Sequence, residues 1–180
     1  MITDKIQRTS SILTNCLRVI CIVLLVAITG ELAAIFWLAA SSGEAVPEAL
    51  SYIISYSSLA SYAESPRVEL MAHFFVSISR QGIIVAMFLI AGAIFKDISK
   101  EYTPFIAIHT KRLHAISILM IGLAIVPGGV EIIMIQLVQP TVKTNVSFEL
   151  SYLFVAVIFF CLAQIFDYGR LLQQQSDETL

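Results

Sequence analysis

Four ionisable side chains stand inside stretches of sequence that are otherwise apolar: Glu31, His73, Arg80 and Glu131. A charge placed in hydrocarbon costs about 2.5–3.5 kcal/mol on insertion scales, so such residues usually face a protein interior and find partners there. Two kinds of chemistry suit this set. Arg80 can hold an anion through its planar guanidinium fork. Glu31 and Glu131 can bind a cation or a proton. The plainer alternative is that all four only fix helix packing and register. No nucleophile has a base at useful spacing, and no His, Cys, Asp and Glu set has metal-ligand spacing. No catalytic or metal residue is therefore assigned, and an enzyme is the least favoured class. A bis-histidine haem needs paired buried histidines at matched depth. Only His73 lies within an apolar block, while His109 and His114 fall at the edge of another, so no cofactor is expected.

The elements that must position these residues are apolar blocks at 17–40, 70–95, 113–138 and 148–166. A hydrocarbon core of about 30 Å needs about 20 helical residues to cross it, and each block meets or nearly meets that length. The chain has 180 residues, 58% hydrophobic and 13% charged, where a soluble domain carries about 25% charge. The predicted fold is all-α: a transmembrane four-helix bundle forming one membrane domain over residues 1–180. The absence of a basic run argues against direct nucleic-acid binding. Lys5, Arg8 and Arg18 with small residues at 38–41 resemble a signal peptide. The apolar run exceeds the usual h-region of about 7–15 residues, so it reads as a retained helix. Cys16, Cys21 and Cys161 fall at or inside the blocks and read as small core residues.

Basic residues set the orientation. Lys5 and Arg8 precede the first block and Arg18 stands at its start, Lys96, Lys100, Lys111 and Arg112 lie between the second and third, and Arg170 follows the fourth. The other connections hold only Arg67 and Lys143. Both termini are therefore expected in the cytoplasm, with an outer loop at 41–69, a cytoplasmic loop at 96–112 and a cytoplasmic tail at 167–180. The serine- and tyrosine-rich stretch 51–62 suits a short helix on the outer membrane surface, where a tyrosine ring is apolar and its hydroxyl wet.

Height along each helix predicts who meets whom. At about 1.5 Å per residue, Glu31 stands about 20 Å above Arg18 and Arg80 about 22 Å from Phe95. The match predicts that Glu31 and Arg80 pair between the first two spans. Glu131 and His73 come out higher, at about 28 and 33 Å, and form a weaker second pair. Pro127-Gly128-Gly129 interrupts the third block directly before Glu131, so the helix either kinks or ends there. Gly82, Gly92 and Gly122 are places where helices can approach closely.

Three segments are similar to one family taken together. They are Thr103-Pro104-Phe105 followed by Lys111-Arg112-Leu113-His114, the exit Phe166-Asp167-Tyr168-Gly169-Arg170-Leu171-Leu172-Gln173, and the acidic end Ser176-Asp177-Glu178-Thr179-Leu180. The layout resembles a bacterial family of small four-span membrane proteins known as domain of unknown function 2975. In that family a Pro-Phe cytoplasmic loop leads into the third span, and an aromatic-x-Gly-x-x-Leu-Gln exit precedes a polar acidic end. Tyr102-Thr103 departs from the family, whose members often carry glycine with an acidic or small residue there. The resemblance implies no reaction. It implies a cytoplasmic helix-turn-helix regulator as partner, met by Pro104, Phe105, Arg112, Tyr168, Arg170 and Gln173.

The function expected is a non-enzymatic sensor or regulatory protein of a bacterial cytoplasmic (inner) membrane, multi-pass. Its partners would be the lipid bilayer, a cytoplasmic regulatory protein and a second copy of the chain. Two alternatives stand beside it: a small transporter or channel subunit with a polar path, and an accessory subunit of a larger membrane complex.

Overall fold

A computed structural model describes residues 2–41, 66–100, 106–138 and 149–178. They form four α-helices: α1 (Ile2–Ala40), α2 (Pro66–Lys100), α3 (Ala107–Val138) and α4 (Leu150–Glu178). All four are long and apolar enough to cross a membrane. The chain is thus all-helical and multi-pass, as the apolar blocks predicted. The surface helix expected at 51–62, the loop around Pro140, and Pro104 and Phe105 lie outside the described residues.

Every helix exceeds its apolar block. At 39 residues, α1 is about 58 Å long, nearly twice the hydrocarbon thickness of about 30 Å. Its excess lies at the polar N-terminal end, which contains no glycine or proline to stop a helix before Gly30. The helix α4 runs on past Phe166 through its glutamine-rich end. An i,i+3 pair supports that extension, with the Arg170 guanidinium 3.0 Å from the Asp167 carboxylate. The helix α3 continues through Pro127 to Val138, so Glu131 remains a helical residue.

The end of α1 is closed by side chains. The last carbonyls of a helix have no partner within it. The Ser41 amide donates to the Trp37 carbonyl at 3.0 Å, and the Ser41 hydroxyl donates to that of Leu38 at 3.1 Å. The Arg67 guanidinium also donates to the Leu38 carbonyl, a basic side chain at the negative end of a helix dipole.

The surface is oil-like and the interior partly polar. Phe154, Phe36 and Val26 are 77%, 74% and 65% exposed, whereas Ser10, Glu69, His109 and Ser117 are buried. A water-soluble protein rarely shows large continuous apolar surface. In lipid, that surface needs no cover, because acyl chains are as apolar as leucine. Hydroxyls inside the helices are mostly turned back on their own backbone. Thr14, Thr29, Ser79 and Ser99 each donate to a carbonyl three or four residues earlier, at 2.7–2.9 Å.

The chain forms two compact units, Met1–Leu24 with Ile83–Ala124 and Glu149–Leu180, and Leu25–Gly82 with Ile125–Phe148. In the first, Met87 and Ile94 of α2, Leu113 and Ile116 of α3 and Ala163 of α4 make the core. Ala156 and Ala163, seven residues apart on one face of α4, are both buried. Small residues at that spacing let helix backbones approach. Two hydroxyls cross between helices here: Ser10 donates to the Phe95 carbonyl at 3.0 Å, and Ser117 donates to that of Ala156 at 2.8 Å. Ser117→Ala is expected to cost about 0.6 kcal/mol, the average for interhelical hydrogen bonds between neutral groups in a membrane protein. Unfolding by SDS titration in mixed micelles measures it, and unchanged stability would show that this bond carries no weight.

In the second unit, Leu38 of α1 packs on Leu70 and Phe74 of α2, with Ala34, Ile35 and Met71 around them. Ala72 of α2 packs on Ile135 of α3 beside Met134. A Cβ built on Gly30, Gly82, Gly92, Gly122 or Gly129 meets no described atom within 4 Å. The close approaches expected at Gly82, Gly92 and Gly122 are therefore not made among the described residues.

Candidate functional site

Glu31 lies in α1 where the sequence on both sides is apolar, and its side chain is half-buried. Across from it α2 presents Ser77 and Gln81, four residues apart and so on one helix face. The Ser77 hydroxyl donates to Glu31 Oε1 at 2.8 Å. The Gln81 amide nitrogen donates to the same oxygen at 2.7 Å and to Ser77 Oγ at 2.9 Å. The three side chains close a triangle. Ser77 departs from the other hydroxyls of its helix: Ser79, two residues on, bonds its own backbone, while Ser77 reaches a different helix.

The orientation of the Gln81 amide follows from the carboxylate, because the opposite flip would set one acceptor against another. The Ser77 hydroxyl gives its one hydrogen to Glu31 Oε1, and one Gln81 N–H is shared between that oxygen and Ser77 Oγ, because the two amide hydrogens stand about 120° apart and cannot both enter the triangle. Glu31 Oε2 and Gln81 Oε1 are buried and have no hydrogen-bond donor among the described residues. The cluster therefore presents two buried acceptors, one of them part of a carboxylate.

Arg80 was the expected partner of Glu31. The hydrogen bonds to the carboxylate come from Gln81, one residue further on, and from Ser77. Arg80 itself is exposed. The height estimate landed within one residue, but one residue along a helix is a rotation of about 100°. His73 is half-buried on α2, its ring edge-on to that of Phe74 at 6.3 Å. Glu131 is half-buried on α3, four residues after the buried Pro127, with Gly128 and Gly129 half-buried between them. Ser77 and Gln81 are the residues that reasoning from ionisable groups alone misses. The spacing Glu69, His73, Ser77 and Gln81, a polar residue every fourth position on an apolar helix, is the feature that reveals them.

Of the residues expected to meet a partner, Arg112, Tyr168, Arg170 and Gln173 are described, and they fall in the first unit. Arg112 Nη1 lies 2.5 Å from Asp97 Oδ2, so that guanidinium is engaged within the chain. Arg170 holds Asp167. Tyr168 is 64% exposed, and Gln173 is half-buried. Near the start of α3 His109 is fully buried, and the His114 ring stands edge-on to Phe160 at 5.2 Å. No family model, no curated protein and no solved structure matches the chain.

Proposed function

We propose that this chain is a non-enzymatic membrane sensor or regulatory protein whose sensed site is the Glu31 cluster. The observation that supports this reading most directly is the triangle of Glu31, Ser77 and Gln81 inside an apolar helix pair, with two buried acceptors that no described donor meets. A change in what meets those acceptors changes how α1 packs on α2, where Leu38, Leu70 and Phe74 interlock. Both helices run without a proline from the cluster to their polar ends. Helices respond to such changes as small shifts between two packings. In this reading the termini are cytoplasmic by the basic-residue bias, the membrane is a bacterial inner membrane, and the chain belongs with the domain of unknown function 2975. The partner is a cytoplasmic protein, a helix-turn-helix regulator by that resemblance, which meets the end of α4 around Tyr168 and Gln173.

The test compares proteins that copurify from native membranes with the full chain, with a chain ending at Gly169 and with Glu31→Gln. Loss of one defined partner on truncation, and a several-fold change in its recovery with Glu31→Gln, is the expected result. Equal recovery from all three would refute the proposal.

One observation favours a second reading, a transporter or channel subunit. Glu69, His73, Ser77 and Gln81 form a polar ridge along α2, and none of them is exposed. Ion flux into liposomes that Gln81→Leu abolishes would decide for it.

A further inference from the structure

We propose that Glu31 and Gln81 together bind one monovalent alkali cation, sodium or potassium. The assignment rests on reading the Glu31 cluster as the sensed site, and it names what is sensed.

Two buried oxygens of the cluster, Glu31 Oε2 and Gln81 Oε1, have no donor among the described residues, and both accept. Whatever complements them must donate or carry positive charge; an anion, which Arg80 alone suggested, does not fit. The two donors to the carboxylate are neutral, so its charge is not balanced by them. In surroundings of low dielectric, an unbalanced charge is costly, and a cation in contact removes that cost. Both ligand atoms are oxygen, from a carboxylate and a carboxamide, which suits hard cations over transition metals. Calcium collects six to eight oxygens, usually from several carboxylates. Here a single carboxylate supplies a single negative charge, matched by a single positive one.

The experiment uses the full chain purified in dodecyl maltoside. Thermal unfolding is followed in sodium, potassium or choline chloride at equal ionic strength. The midpoint is expected to rise by several degrees in one alkali salt over choline, with a saturable dependence on concentration. Glu31→Gln keeps the accepting oxygen and places a donor where Oε2 was. It is expected to abolish the alkali response and to match or exceed the original chain in choline. Equal midpoints in the three salts, or an alkali response that survives Glu31→Gln, would overturn the proposal. Binding of sodium-22 to the unaltered chain, displaced by unlabelled sodium or potassium chloride and not by choline, needs no variant. About one ion per chain is expected, and no displaceable binding overturns the proposal. A salt-dependent midpoint without any change in partner recovery supports the cation and counts against the sensor. Glu31-dependent partner recovery with salt-independent midpoints does the reverse.

Discussion

Gln81→Leu is expected to destabilise the protein by about 2–3 kcal/mol, the largest effect of any single change at the Glu31 cluster. The substitution keeps the bulk of the side chain and removes both amide hydrogens. Glu31 then keeps only the Ser77 hydroxyl, and Ser77 Oγ loses the bond it accepts. Hydrogen bonds between neutral groups in membranes average only about 0.6 kcal/mol. A bond to a charged acceptor is worth about 1.5–3 kcal/mol, and stripping the partner from a buried charge costs more than the bond itself returns. The charge therefore decides the size. Ser77→Ala removes one hydrogen from the same oxygen and leaves the Gln81 bond, so about half the loss is expected. SDS titration in mixed micelles ranks the two, and a Gln81→Leu chain as stable as the original would show that the carboxylate is not held by this triangle.

Ala163→Leu is expected to cost about 1–3 kcal/mol through overpacking. Ala163 has no exposed surface and sits among Met87, Ile94, Leu113 and Ile116. Interiors are packed too densely to take three extra carbons without moving a helix. In a soluble core the larger side chain would recover part of that strain by leaving water. In a bilayer the unfolded helix already lies in lipid, so no such gain offsets it. The same assay reads the loss, and a change of less than about 0.5 kcal/mol, the size of an ordinary surface substitution, would show that α4 is loosely seated.

Length and composition are additive along a chain, and that is why the spans were legible. Each of the four apolar blocks lies almost wholly within one helix, only the first residues of the last block falling outside α4. Helix ends were less so. A helix has no reason to stop where lipid stops, and the leucines and glutamines after Arg170 are good helix formers in water too. Pro127 reads as a possible terminus and is instead an interior residue of α3. A proline inside a membrane helix is tolerated where neighbouring groups satisfy the freed backbone. The site was half legible. Counting rise placed Glu31 against the right turn of α2, whereas choosing Arg80 over Gln81 required the azimuth of each helix, which depends on packing that no single helix encodes. The preference for charged partners also hid Ser77 and Gln81, whose neutral hydrogens do the same work.

The glycines carry a consequence for how substitutions are tolerated. Because Gly30, Gly82, Gly92, Gly122 and Gly129 border open space within the described residues, a methyl group at any of them would strike none of the described side chains. Selection for glycine at those positions, wherever it operates, must then originate in something other than the packing of these four helices as described.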